Sequence, residues 1–217
     1  GAALVSVMAA NNETGVLQPV AQIANLAREA GGLVHVDAVQ AAVRIPIDVK
    51  ALGIDLLSLS AHKMGGPAGI GALYVREGVE IRPLMLGGSQ ERRRRPGTES
   101  PVLAAGFAAA ARVARERDGR RRIEDLRDRM ERELLARIDG ARINGAGAPR
   151  LPNTSSLTIP GADNEALVIR MDLMGFALST GSACSTGSSR PSHVLAAMGL
   201  SAADIASTIR ISLGTAT

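Results

Sequence analysis

Short apolar runs alternate with amphipathic helical patterns over the first part of the chain. Four runs have the length and composition of buried strands: residues 4–8, 33–36, 54–59 and 71–75. Between the first two runs, Pro19 begins a helical pattern with its apolar residues on one face, and Gly31-Gly32 end it. Strands separated by helical patterns are typical of β-α-β units. We therefore expect an α/β fold, with a mostly parallel sheet and flanking helices that cover both of its faces.

A smaller second domain is predicted after a break in this pattern. Residues 87–98 are rich in glycine and arginine, two helical patterns follow them, and Asp118-Gly119 offers a junction between those helices. We therefore divide the chain into a large domain over residues 1–117 and a small α+β domain over residues 118–217. In the small domain the pattern predicts three strands and two helices, at residues 141–143, 155–159 and 208–213 and at residues 164–174 and from 191.

The composition is that of a soluble globular protein with almost no aromatic side chains. The chain has 217 residues, of which 46% are hydrophobic and 21% charged, with two Phe, one Tyr and no Trp. Single-strand nucleic-acid sites use aromatic side chains to stack bases, so we do not expect nucleic-acid binding. The net charge of +4 comes largely from two arginine runs, which we interpret as solvated loops or as contacts to phosphate or carboxylate groups, at residues 92–95 and 120–122.

The single cysteine, Cys184, excludes an internal disulfide and favours a reducing compartment, the cytoplasm. No stretch has the length of a membrane span, and no signal peptide begins the chain, so no membrane association is expected. The chain starts at Gly1 within an apolar run. We interpret it as a fragment that opens in the middle of a domain.

Polar residues follow three of the predicted strands: Asn11-Asn12, Asp37 and Lys63. Ligands of open parallel sheets bind beyond the carboxyl ends of the strands, so we expect these residues to converge there. A partly desolvated lysine is a nucleophile toward carbonyls, although on these residues alone the polar end of a strand is the more ordinary interpretation of Lys63. A buried carboxylate at Asp37 needs a partner, either an amide of the next segment or a protonated ligand nitrogen. An amine and a carboxylate in one crevice are what pyridoxal phosphate requires, but both residue types are common.

Several neighbours of these residues have two interpretations each. Asn12 is either an amide for a ring hydroxyl or a turn-forming residue. Ser60 and His62 can donate hydrogen bonds to a phosphate, or His62 caps the loop. Arg210 is a lone charge inside a predicted strand, which suits either a substrate carboxylate or a structural ion pair. Cys184 lies in a hydrophilic loop of small residues, where a thiol is more often reactive than structural.

Six segments along nearly the whole chain combine these candidate residues with glycine-rich or small-residue turns. They are Asn-Asn-Glu-Thr-Gly-Val at 11–16, His-Val-Asp-Ala-Val-Gln at 35–40, Ser-Ala-His-Lys-Met-Gly-Gly-Pro-Ala-Gly-Ile-Gly-Ala-Leu-Tyr at 60–74, Arg-Arg-Pro-Gly-Thr-Glu at 94–99, Ser-Thr-Gly-Ser-Ala-Cys at 179–184 and Ile-Arg-Ile-Ser-Leu-Gly at 209–214. Together, and in this order, they resemble the cysteine desulfurases, pyridoxal-phosphate enzymes of fold type I within the class V aminotransferase-like group.

The resemblance implies a role for each candidate residue. Lys63 is implied to be the Schiff-base lysine for pyridoxal 5'-phosphate, and Cys184 the nucleophile that takes sulfur from L-cysteine as a persulfide and leaves L-alanine. Arg210 is implied to hold the substrate carboxylate, and Asn12 is implied to bind the substrate as well. The other implied cofactor contacts are the ring nitrogen for Asp37, the ring oxygen for Asn12 and Gln40, the phosphate for Ser60 and His62, and the phosphate of the neighbouring subunit in a homodimer for Thr98.

The family is also implied to pass its sulfur to an acceptor or scaffold protein for iron–sulfur cluster or thio-cofactor assembly. Its members carry a further stretch before the first strand, with a phosphate-binding turn and a ring-stacking histidine. We therefore expect an N-terminally truncated member that binds cofactor weakly or not at all by itself. The alternatives are a selenocysteine lyase or aminotransferase, which need no thiol at Cys184, and a catalytically silent scaffold.

Overall fold

The computed structural model describes residues 3–116, 119–181, 191–214 and 217. They form two compact units. The first comprises residues 1–9 and 19–118, and the second comprises residues 10–18 and 119–217. The predicted junction at Asp118 lies outside the described residues, and the division into functional domains stays a prediction.

A four-stranded sheet forms the centre of the first unit, in the order β1-β2-β3-β4. Its strands are β1 Leu4–Met8, β2 Leu33–Asp37, β3 Leu56–Ser60 and β4 Gly71–Val75. The first three strands are parallel, and β4 pairs with β3 in the antiparallel direction. The predicted α/β class with a mostly parallel sheet and flanking helices is therefore confirmed.

Helices of the first unit cover the sheet less completely than the sequence predicted. Helix α1, Val20–Glu29, contacts β1 and β2, and next to it Val34 and Val36 are each only 1% exposed. On the opposite face Leu4 and Leu73 are each 50% exposed, so the expectation of two covered faces is wrong. The physical reason is that residues 38–55, between β2 and β3, form turns and supply no helix.

The remaining helical segments of the first unit lie after β3. A single 3₁₀ turn, Ala61–Met64, follows β3 directly, and the long helix α3, Pro101–Glu116, contacts that turn. One irregular helical turn, α2 Gln90–Arg93, lies between them in the arginine-rich segment.

The described residues of the second unit form a three-stranded antiparallel sheet and four helices. The strands are β5 Arg142–Ile143, β6 Thr154–Thr158 and β7 Thr208–Ser212, with β6 in the centre. The helices are α4 Arg120–Arg137, α5 Asn164–Leu173, α6 His193–Ala197 and α7 Ala202–Ala206. Every residue of β6 is buried, and some of its polar side chains pair with neighbouring elements: the Thr158 hydroxyl is hydrogen-bonded to the side chains of both Asn144 and Thr208.

A buried ion pair fixes α4 within the second unit. Nη1 and Nη2 of Arg150 donate to Oε1 and Oε2 of Glu131, at 2.7 and 2.8 Å. The hydrogen bond to Glu131 raises the pKa of the Arg150 guanidinium, which therefore stays charged. None of the helices that the structure describes combines the length and the apolar character needed to cross a bilayer.

Candidate functional site

The carboxyl ends of β2 and β3 bring several candidate residues to one edge of the first unit's sheet. Asp37 ends β2 and pairs in register with Ser58 on the parallel strand β3. Ser60 ends β3, and the 3₁₀ turn that carries Lys63 begins at the next residue. The carboxyl ends of parallel strands lie at the same edge of a sheet, so the carboxylate of Asp37 and the turn with Lys63 lie at that edge.

Asp37 itself is exposed, although the valine before it is buried. The expectation of a buried carboxylate is therefore wrong, because the strand reaches the surface at its last residue. Oδ1 of Asp37 accepts a hydrogen bond of 2.9 Å from the backbone N–H of Val39. Of the two carboxylate oxygens of Asp37, only Oδ1 accepts a hydrogen bond from the described residues, so Oδ2 is available to a ligand.

Gln40 lies in the turn after β2. It is half-buried, and its backbone carbonyl accepts a hydrogen bond of 2.8 Å from Nη1 of Arg44. Burial lowers the pKa of the Arg44 guanidinium. Gln40 therefore stands beside a cation.

Ser60 and His62 form a polar pair at the end of β3. The Ser60 hydroxyl and Nδ1 of His62 are 2.8 Å apart, and His62 is exposed. Lys63 follows and is half-buried. The turn ends at Gly65, whose φ of 80° is a left-handed conformation that suits glycine. Gly65 thus lets the chain reverse its direction two residues after Lys63.

Thr98 lies at the end of the arginine-rich segment and is exposed. Three residues just before it, Glu91, Arg92 and Arg93, have positive φ values of 47°, 57° and 63°. The role implied for Thr98 concerns a second subunit, so it stays a prediction.

In the second unit, Arg210 joins two other candidate segments. It lies half-buried on β7, and its Nη1 donates a hydrogen bond of 3.0 Å to the backbone carbonyl of Asn12. Its backbone N–H donates to the carbonyl of Ser179 at 2.6 Å, and its carbonyl accepts from Ser179 at 3.1 Å. The chain that leads to Cys184 therefore starts beside Arg210, while Cys184 itself lies outside the described residues.

The turn before Gly15 owes its shape to Asn11 rather than to Asn12. The buried Oδ1 of Asn11 accepts hydrogen bonds from the backbone of Glu13 and Thr14, at 2.9 and 3.0 Å. This is the turn-forming role that sequence reasoning considered for Asn12. An asparagine four residues before a glycine, directly after an apolar strand, was the available signal.

Glu13 is a second residue that sequence reasoning passed over. It is 3% exposed, and its Oε2 accepts a hydrogen bond of 2.5 Å from the Ser192 hydroxyl. No local sequence signal marks this contact, because the two residues are far apart along the chain. The structure thus groups Asn12, Glu13 and Arg210 in the second unit, and six other candidates in the first: Asp37, Gln40, Ser60, His62, Lys63 and Thr98.

The first unit thus has a mostly parallel sheet, with a lysine-bearing turn and a carboxylate at one edge. Comparison with known proteins shows which family has this arrangement. The profile of the family described as aminotransferase class-V matches residues 1–217, and the chain belongs to this family. Members of the family depend on pyridoxal phosphate.

Among individual relatives, a cysteine desulfurase from Gluconacetobacter diazotrophicus is 50% identical over 198 residues, covering 90% of this chain and 50% of that protein. The NifS-like protein of Rickettsia africae has a solved structure with a TM-score of 0.87 and 38% identity, covering 97% of this chain and 56% of that one. A structure described as SspA in complex with cysteine has a TM-score of 0.78 and 36% identity, covering 97% and 58%. The chain spans about half the length of the curated relatives it matches. The resemblance to cysteine desulfurases is confirmed.

The residues at the first unit's strand ends fit pyridoxal phosphate. The cofactor needs an amine for its aldehyde, an acceptor for its ring N–H and donors for its phosphate. Lys63 offers a half-buried amine, Asp37 an exposed carboxylate with an oxygen to spare among the described contacts, and the Ser60–His62 pair a hydroxyl and an imidazole. All of these groups belong to two neighbouring parallel strands and the turn that follows them.

Proposed function

We propose that the protein containing this chain is a pyridoxal-phosphate-dependent cysteine desulfurase. It converts L-cysteine to L-alanine and receives the sulfur as a persulfide on Cys184. One observation carries the substrate side of the proposal: Arg210 exchanges both backbone hydrogen bonds with Ser179, shortly before Cys184 in the chain. A group suited to a carboxylate therefore lies beside the start of the segment that holds the thiol.

The cofactor side rests on the edge of the first unit's sheet. Lys63 holds the cofactor through its Nζ amine, and Asp37 accepts a hydrogen bond from the ring nitrogen and keeps that nitrogen protonated. Gln40 and Asn12 contact the ring oxygen of the cofactor, while Ser60 and His62 donate hydrogen bonds to its phosphate. When bound, pyridoxal phosphate supplies an electron sink beside the substrate's α-carbon.

The chain's own residues then share the work on L-cysteine. Arg210 binds the substrate carboxylate, and its Nη1 contact to the Asn12 carbonyl fixes the orientation of the guanidinium. Lys63 accepts the α-proton. The Cys184 thiolate attacks the substrate sulfur, so that an S–S bond forms as the C–S bond breaks. The electron pair of that C–S bond stays on the β-carbon, which takes up the proton that the Cys184 thiol lost on ionisation. Lys63 returns its proton to the α-carbon, and alanine leaves.

We include a homodimer, an acceptor protein and the cytoplasm in this proposal. Thr98, exposed after the arginine run, reaches the cofactor phosphate of the neighbouring subunit. The persulfide on Cys184 is delivered to a sulfur-acceptor or scaffold protein for iron–sulfur cluster or thio-cofactor assembly. The reducing cytoplasm keeps the thiol available between turnovers.

The chain offers an exact pair of variants for testing the cofactor lysine, because Lys50 and Lys63 are its two lysines. Borohydride reduction of the full-length protein with pyridoxal phosphate should attach a pyridoxyl group to Lys63. The label and the visible absorbance should persist in Lys50→Ala, which changes an exposed residue, and vanish in Lys63→Ala. A label on Lys50 alone, or none on either lysine, would contradict the assignment and favour a silent scaffold.

A second variant separates the desulfurase from its enzyme alternatives. Cys184→Ser should keep the pyridoxyl label on Lys63 but abolish sulfur release from L-cysteine. Release of sulfur at the wild-type rate would instead favour a selenocysteine lyase, which does not need this thiol. An aminotransferase would release no sulfur from either form.

A further inference from the structure

Glu13 is a buried carboxylate for which the proposed reaction has no use. It is 3% exposed and lies in the turn between Asn11 and Gly15 in the second unit. A buried carboxylate is costly unless it is hydrogen-bonded. Its Oε2 accepts a hydrogen bond of 2.5 Å from the Ser192 hydroxyl, which is within the short range typical of bonds to a charged acceptor.

The same oxygen faces a second stretch of chain at Gly181. This glycine has a φ of 104°, and a Cβ built on it would lie 3.2 Å from Oε2 of Glu13. Gly181 directly precedes residues 182–190, and Ser192 follows them closely. One carboxylate oxygen is therefore hydrogen-bonded to Ser192 on one side of the segment that contains Cys184 and lies close to Gly181 on the other.

Glu13 is in turn fixed relative to Arg210. Its backbone N–H donates to Oδ1 of Asn11 at 2.9 Å, and the carbonyl of its neighbour Asn12 accepts from Nη1 of Arg210 at 3.0 Å. Ser179, just before Gly181, is bonded to the backbone of Arg210 as well. The turn with Glu13, the strand with Arg210 and the chain on both sides of residues 182–190 are thus linked by hydrogen bonds within one unit.

We infer that Glu13 is a positioning residue for Cys184: its carboxylate holds the two ends of the 182–190 segment together beside Arg210. The inference rests on the proposed role of Cys184. It implies that sulfur transfer to Cys184 depends on the Glu13–Ser192 contact, while attachment of the cofactor at Lys63 in the first unit does not. Displacement of a reacting group by about 1 Å costs roughly 100-fold in rate, so the effect should be measurable.

Ser192 and Ser201 provide a matched pair for the test. Each caps a five-residue helix, α6 or α7, and accepts a hydrogen bond of 3.1 Å from the third residue after it. Aspartate is also a good N-cap, so Ser192→Asp and Ser201→Asp both keep the helix cap. Ser201→Asp sets its new carboxylate beside Asp204, so it controls for an added like charge at a helix cap, whereas Ser192→Asp sets one against Glu13. Adding Glu13→Gln to Ser192→Asp restores a donor–acceptor pair, because the glutamine amide can donate to the new carboxylate.

The experiment uses the full-length protein loaded with pyridoxal phosphate and follows persulfide formation on Cys184 after mixing with L-cysteine. Ser192→Asp should slow this step by about 10- to 100-fold, Ser201→Asp should leave it within about twofold, and the double variant should recover most of the rate. Pyridoxyl labelling of Lys63 should be equal in all of them. Equal rates for the two serine variants, or no recovery in the double variant, would overturn the role of Glu13.

Alkylation of Cys184 by iodoacetamide provides a readout that needs no turnover. Its rate should change several-fold in Ser192→Asp, return in the double variant and stay unchanged in Ser201→Asp. If the wild type forms no persulfide, the proposed function fails, and the alkylation rates alone decide on Glu13. Unchanged alkylation in Ser192→Asp would then refute the positioning role.

Discussion

Arg210 is held through its side chain and through its backbone, and this constraint leads to a prediction about substrate binding. Lysine carries the same charge but cannot present the planar pair of donors that matches a carboxylate. A lost hydrogen bond to a charged group is worth roughly 1.5–3 kcal/mol. In steady-state kinetics of the full-length enzyme, Arg210→Lys should therefore raise the KM for L-cysteine about tenfold or more, with a smaller change in kcat.

Arg142→Lys is the matched control, since it changes a more exposed arginine of the same unit that pairs with Asp204. It should leave the KM near the wild-type value. An unchanged KM in Arg210→Lys would mean that the guanidinium serves the fold rather than the substrate.

The ionisation of Asp204 leads to a prediction about how the stability of the second unit depends on pH. Hydrogen bonds from Arg142 and then Ser201 lower the pKa of this carboxyl group below its ordinary value. A carboxyl whose pKa is lower in the folded state stabilises the fold above its unfolded pKa of about 3.9 and loses that effect as the pH falls through the folded value. Urea unfolding of the wild type and Asp204→Asn should therefore differ most near neutral pH and converge in acid. A difference that grows toward acid would contradict the account.

Individual site residues differ in how far the sequence could predict them. Lys63 and Asp37 were predictable in position, because each follows a short apolar run and parallel strands end at a shared edge. The burial of Asp37 was not, since exposure at the end of a strand depends on what covers the sheet. Glu13 was missed because its partner Ser192 is 179 positions away along the chain, beyond the reach of any local pattern.

At the scale of elements, the turn after β3 ends at Gly65, and we predict that this glycine positions Lys63. Alanine at a φ of 80° costs about 1–2 kcal/mol, because its Cβ crowds the following carbonyl. Gly65→Ala should therefore weaken pyridoxal phosphate binding, measured by titration of the visible absorbance. Gly78→Ala is the control, since Gly78 has a similar φ of 83° in the turn after β4, and both glycines have open space around a built Cβ. Equal affinity in the two variants would contradict a role for this turn.

Helix α4 carries a second prediction, which concerns stability alone. Removing one partner of a buried ion pair leaves an uncompensated charge and costs about 3–5 kcal/mol. The Glu131 and Arg150 side chains are 10% and 9% exposed, so Glu131→Ala should lower the free energy of unfolding of the second unit by that order. Glu133→Ala on the same helix, where the side chain is 47% exposed, should change it far less in urea unfolding. Similar losses in both variants would argue against a buried pair.

The elements themselves followed from periodicity to a large extent. Each predicted strand of the first unit formed within two residues of its expected start, because short apolar runs bounded by glycine or polar residues leave few alternatives. The uncovered face of the sheet did not follow. A stretch such as residues 38–55 has apolar residues in adequate number, yet it folds as turns, and helix propensity alone does not decide that outcome.

At the scale of the whole molecule, the chain's division into units departs from its linear order. Residues 10–18 belong with the second unit, although they follow β1 of the first. Backbone hydrogen bonds explain this: Leu17 donates to Pro149, and Leu151 donates to Gly15, each at 2.8 Å. Pairing between segments so far apart in sequence leaves no trace in a local pattern, so a boundary drawn from composition could not include it.

The residues with different proposed roles fall largely into different units. The residues proposed to hold the cofactor lie in the first unit, except Asn12, and those proposed to bind the substrate and to hold the cysteine segment lie largely in the second. Variants of the two groups should therefore separate experimentally. Changes at Lys63 should abolish both cofactor labelling and sulfur transfer, whereas changes at Ser192 should affect sulfur transfer alone.

The most direct test of sulfur transfer to Cys184 is the mass of the peptide that contains it, measured after brief exposure of the full-length, pyridoxal-phosphate-loaded protein to L-cysteine. We expect this peptide to gain one sulfur atom in the wild type and in Lys50→Ala, and to gain none in Lys63→Ala. Formation of alanine without sulfur on Cys184, or addition of sulfur that does not depend on Lys63, would contradict this expectation.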